Sequence, residues 1–122
     1  MLRANPTSDE AMLRAYLECA AWSSQDISYK EEHPADQDGL PWSREAVDKA
    51  NADCSAFLSK IDMDSVEDFD SLGHDFWLTR NGHGAGFWDG DWPEPLASEL
   101  TKLSKAFGEL NVYSDRGELH FT

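Results

Sequence analysis

Basic residues are scarce in this chain: 10 Lys and Arg stand against 24 Asp and Glu in 122 residues, a formal charge of −14 at neutral pH. Such a surface repels phosphate, because nucleic-acid binding depends on Lys and Arg that displace counterions. Direct contact with DNA, RNA or an anionic membrane is therefore not expected. Cysteine is equally sparse. Cys19 and Cys54 are the only two, and both fall on apolar faces of expected helices, where they read as reduced core thiols. Their isolation excludes the paired spacing of a zinc site.

Long apolar runs are missing too. None approaches the roughly 18 residues a membrane span requires, and the opening MLRANPTSDEAML lacks the apolar stretch of an export signal. A cytoplasmic location is the expectation. The chain has no P-loop, nucleophile elbow, dinucleotide-binding turn or zinc-protease helix. No catalytic residue, metal or cofactor is expected, and the enzyme reading fails for want of parts.

What is present reads as one α+β domain over residues 1–122, with a helical part (1–61) that includes a long loop (23–41). An acidic segment, a hairpin, a helix and a second hairpin follow over 62–122. Thr7 and Glu10 form a capping box, and Leu13, Tyr16, Leu17 and Ala20 form the apolar stripe of a first helix. Ser43 caps a second, with Trp42 placed to staple onto Val47. The core face of that helix is Val47, Ala50, Cys54, Phe57, Leu58 and Ile61. A short helical turn is expected near Ser65 to Phe69. A later helix starts near Pro93 or Pro95, carries Leu96, Leu100, Leu103 and Phe107, and ends at Gly108. In the C-terminal hairpin, Leu110 and Val112 lie on one face of a strand, Ser114 to Gly117 turn, and Leu119 and Phe121 return.

The stretch DFWLTRNGHGAGFWDGDW, residues 75–92, is the least ordinary. Asn81-Gly82 is a strong type I′ hairpin signal. Pairing about it sets Phe76, Leu78, Arg80, His83, Ala85 and Phe87 on one face, with Arg80 towards solvent. Trp77, Thr79, Gly84, Gly86 and Trp88 share the other. The two hairpins then imply a four-stranded antiparallel sheet packed on three main helices, in the order α-α-(short α)-β-β-α-β-β. On that register His74 and His83 lie at opposite ends of a strand, about 20 Å apart, which argues against a shared site. His33 and His120 have no evident partner.

Asp62, Asp64, Glu67, Asp68, Asp70 and Asp75 place six acids and no Lys or Arg in fourteen residues. A calcium loop beginning at Asp68 fails, because Leu72 and Thr79 fall where oxygen ligands belong. Asp89, Asp91 and Glu94 are too irregular a set to assign to a cation. Together with Asp48 and Asp53, and with Glu31, Glu32, Asp36 and Asp38 in the long loop, the acids suit a negative surface that draws in basic proteins. A merely solubilising role is the plain alternative.

The text DFWLTRNGHGAGFWD, residues 75–89, resembles a motif in short uncharacterised proteins of tailed bacteriophages and prophages. The likeness extends more loosely through Ser104, Lys105, Ala106, Phe107, Gly108 and Glu109. It brings no activity and no catalytic residues. It implies a phage context, the cytoplasm of a bacterial host, and a setting in which small acidic proteins block nucleoproteins.

These readings converge on a non-enzymatic accessory protein. It would bind and inhibit a basic, nucleic-acid-binding host or defence protein through a DNA-mimicking surface, as an anti-CRISPR does. The expected partner-binding residues are Asp62, Asp64, Glu67, Asp68, Asp70 and Asp75, with Trp77, Trp88 and Trp92 as aromatic anchors. The alternatives are a small-ligand module floored by Trp77, Gly84, Gly86 and Trp88, and a structural phage protein.

Overall fold

The computed structural model describes residues 8–23, 40–82, 86–87 and 92–122. The chain runs through α1 (Ser8–Ser23), α2 (Arg44–Leu58), a 3-10 turn (Met63–Ser65), α3 (Phe69–Arg80) and α4 (Leu96–Ala106). It finishes in a hairpin of β1 (Val112–Asp115) and β2 (Glu118–Phe121). The Thr7 cap and the loop over 24–39 lie outside the described residues.

The expected four-stranded sheet is not formed. Only the C-terminal hairpin is sheet among the described residues, and four helices replace the three expected. The correction centres on α3, which runs through residues 75–80 where the first strand of a hairpin was expected. Asp68 starts it: its Oδ1 accepts from the amides of Asp70 at 3.0 Å and Ser71 at 3.1 Å, capping two open donors. Leu72, Phe76 and Arg80 recur every four residues and are buried, as are Gly73 and Trp77 beside them. Residues 76–80 are all buried, as befits a helix enclosed on every side. Asn81-Gly82 is its stop signal. Gly82 takes φ +68° just past the last turn, the left-handed position that ends helices. Asn81 Nδ2 donates to the Trp77 carbonyl at 3.0 Å, while its Oδ1 accepts from the Leu110 amide at 2.8 Å. The presumed hairpin turn thus ties the end of α3 to the start of the real hairpin.

The other elements follow their sequence signals. Ser43 Oγ accepts from the Ala46 amide at 3.1 Å, and Ala50, Cys54, Phe57 and Leu58 are buried below it. Trp42 stacks on Phe121, with ring centroids 4.7 Å apart. Gly108 follows α4 with φ +81°. β1 and β2 pair antiparallel about Arg116-Gly117, with Asp115 opposite Glu118. The far edge of β2 is taken by the segment entering α2: Leu119 donates to the Pro41 carbonyl at 2.8 Å, and Ser43 donates to the Leu119 carbonyl at 2.9 Å.

α1 and α3 share the most extensive helix contact. They approach so closely at Gly73 that a Cβ there would overlap the Met12 carbonyl oxygen and stand 3.0 Å from the Tyr16 amide. Around this crossing Tyr16, Phe57, Phe76, Trp77 and Phe87 form the aromatic centre of a single core, with Phe57 and Phe76 stacked at 4.3 Å.

A buried charge closes the core. Arg80, expected at the solvent end of a hairpin, has a side chain only 1% exposed. Its Nη1 donates to Asp53 Oδ2 at 2.8 Å and to the Tyr16 hydroxyl at 2.9 Å. Nη2 donates to the Phe107 carbonyl at 2.9 Å, and Nε to the Gly108 carbonyl at 2.7 Å. Asp53 therefore belongs to the core and not to the acidic surface, and Lys49 supports it from outside at 3.3 Å.

Candidate functional site

The acidic segment between α2 and α3 is built from self-capping turns. Asp62 accepts from the Asp64 amide at 3.1 Å and the Ser65 hydroxyl at 3.3 Å, which shapes the 3-10 turn. Asp68 Oδ2 adds a hydrogen bond from the Ser71 hydroxyl at 2.9 Å. Hydrogen bonds from the Ser71 amide and hydroxyl hold the Asp68 carboxyl below the usual range, so it stays ionised. Glu67, Asp70 and Asp64 point no less to solvent: all are exposed.

Part of this acidic segment forms one wall of a surface groove of about 940 Å³ between α1 and α3. Glu67, Asp68, Asp70 and Asp75 line it from the acidic segment and α3, and Glu18 lines it from α1. Arg14 is the only Lys or Arg on the groove wall among the described residues, beside His74. Among the described residues no ion pair within 4.0 Å involves Arg14, Glu18, Glu67 or Asp70. Glu18, Glu67 and Asp70 therefore face the groove without an ion-pair partner among the described residues. Ala15, Cys19 and Leu78 are buried and give the groove an apolar floor.

Three tryptophans were expected at a binding surface, and their fates differ. Trp92 lines the groove, half-buried, with Nε1 donating to Asp75 Oδ2 at 2.7 Å and its ring edge-on to Phe87 at 5.3 Å. Trp77 is inside the core at 1% exposure, its Nε1 donating to Ser23 Oγ at 2.7 Å. It anchors the end of α1 and presents no surface. Trp88 lies outside the described residues. The ligand platform loses its floor with the hairpin: Trp77 and Gly86 are buried, and Gly84 is outside the described residues.

Asp62 and Asp64 are exposed near the groove and do not line it. The residues missed in the sequence are Arg14, Glu18 and Trp22, a row at intervals of four along α1. That spacing, next to the buried Met12, Tyr16, Cys19 and Ala20, was the available signal. Trp22 is 63% exposed, the most exposed large apolar side chain described.

Burial, aided by the charge of Asp75, pushes the Cys19 thiol up to about 12, and burial raises Cys54 as well. Neither supplies a thiolate nucleophile near neutral pH. His74 Nδ1 lies 3.4 Å from Asp75 Oδ1. Among the described residues no group of three or more His, Cys, Asp or Glu is placed to hold a metal ion. No described helix is long and apolar enough to cross a membrane. The Asp89, Asp91 and His83 positions lie outside the described residues. Scans against family models, curated proteins and solved structures found no match for this chain.

Proposed function

We propose that this chain is a non-enzymatic binding protein that engages the basic surface of a nucleic-acid-handling protein and blocks it. One observation carries the reading: carboxylates from separate elements, Glu18 of α1 and Glu67, Asp68, Asp70 and Asp75 of the acidic segment and α3, converge on one groove with a single Lys or Arg among the described residues that line it. Like charges brought together in this way cost folding stability, and a basic partner relieves that repulsion. The net charge of −14 extends the attraction beyond the groove and speeds encounter. Proteins that bind nucleic acid carry the complementary Lys and Arg surface. The likeness of residues 75–89 to phage proteins supports a host or defence protein as the target.

The test changes Asp64, Glu67 and Asp70 together to Lys and leaves Asp68 to cap α3. The wild-type chain should capture nucleic-acid-binding proteins from bacterial lysate and displace nucleic acid from a purified captured protein. Affinity should fall steeply as salt rises, and the triple variant should lose about tenfold or more, the scale of close charge pairs at interfaces. Capture that ignores both salt and the variant would remove the basis for this reading.

A further inference from the structure

The groove is concave, and that bears on how a basic partner meets it. A surface imitating a nucleic acid must project its charges into a partner's cleft. Here the charges surround a depression of about 940 Å³ with a buried floor, in the size range of sites that receive an inserted group. Trp22 lines the same depression and leaves 63% of its surface in solvent. An indole held that far into water in a groove lined by acids is suited to a cation stacked on its face.

The geometry points to an extended arginine-bearing segment of the partner as the occupant, and this rests on the binding function proposed above. Arginine fits all three parts of the groove. Its methylene stem covers the apolar floor at Ala15 and Cys19. Its planar guanidinium stacks on the Trp22 indole, and its paired donors meet the carboxylates of Glu18 or Glu67 side by side. Lysine brings a stem and the charge but lacks the stacking plane and the fork, because its ammonium is a hydrated point cation. The partner thus inserts into this protein, and not the reverse.

The test uses a short peptide alternating Arg and Gly, with its Lys and citrulline counterparts, titrated against the full chain and followed by tryptophan fluorescence and calorimetry. The Arg peptide should bind more tightly than the Lys peptide, and the citrulline peptide should not bind. Trp22→Ala, at an exposed position whose loss leaves the core intact, should weaken the Arg peptide by about two- to fivefold and the Lys peptide by less. Unchanged circular dichroism and melting of this variant would establish that it folds. Equal affinity for Arg and Lys peptides, unaffected by Trp22→Ala, would show general charge attraction and overturn the proposal, as would absence of peptide binding. If a captured basic protein still responds to the triple Lys variant while the peptides fail, this inference falls and the binding function stands. If the captured protein ignores that variant, the binding function itself falls.

Discussion

Arg80 is the residue on which the described elements converge. Its guanidinium reaches α1 through Tyr16, α2 through Asp53 and the end of α4 through two carbonyls, and it lies 5.7 Å from the centre of the Phe76 ring and 5.5 Å from that of Phe107. A charge taken out of water is tolerable only with its hydrogen bonds satisfied, and here Nε, Nη1 and Nη2 are all engaged. Arg80→Met keeps the bulk but leaves Asp53, a tyrosine hydroxyl and two carbonyls without their donor. Lys49 still compensates part of the Asp53 charge, so the expected loss is about 3 kcal/mol, the lower end for breaking a buried pair. Tyr16→Phe removes one acceptor from the same network and should cost about 1 kcal/mol. Urea unfolding of both variants measures the ranking, and an Arg80→Met protein as stable as Tyr16→Phe would show that the network contributes little.

At the scale of elements, α3 separates what the sequence made legible from what it did not. α2 was readable because its cap and its apolar stripe agree: Ser43 and then Ala50, Cys54 and Phe57 all point to one helix. α4 and the C-terminal hairpin were readable for the same reason, with Gly108 and Arg116-Gly117 marking their turns. In α3 the local signals conflict. A run buried on all sides carries neither helical nor strand periodicity clearly, and Asn-Gly serves a helix end as well as a hairpin. Only the Asp68 cap argued for the helix, and the sequence offered Asp68 as one more member of an acidic run. The site suffered in parallel. Its acidic wall was legible as a charge run, but its α1 wall becomes visible only when α1 and α3 are known to cross. Gly73 permits that crossing, so it supplies the test. Gly73→Ala should drive Cβ into the α1 backbone, cost about 1–3 kcal/mol as overpacking does, and shift the exposed-tryptophan fluorescence as Trp22 moves away from α3. A variant as stable as the parent would mean that α1 and α3 do not cross closely at this point.

Across the whole molecule the same charge acts in two opposite directions. Within the chain, 24 acids against 10 bases repel one another and oppose compaction. Among the described residues, exposed pairs such as Arg44 with Asp48 at 3.6 Å can offset this, and such pairs contribute little. Added salt screens that repulsion. The Debye length falls from about 30 Å at 0.01 M to about 3 Å at 1 M. The Arg80–Asp53 pair, out of solvent, is screened far less. Thermal stability should therefore rise with sodium chloride over this range, and the rise should be smaller in the Asp64, Glu67 and Asp70 to Lys variant, whose net charge is lower. Towards a basic partner the response has the other sign, since screening removes the attraction that the groove provides. Melting curves and binding isotherms recorded in the same salt series test both arms on one protein. Stability and affinity that fall together would mean that attractive surface pairs, and not excess carboxylate, dominate the electrostatics of this fold. Stability that rises while affinity falls would locate the stored repulsion in the acids that a basic partner neutralises.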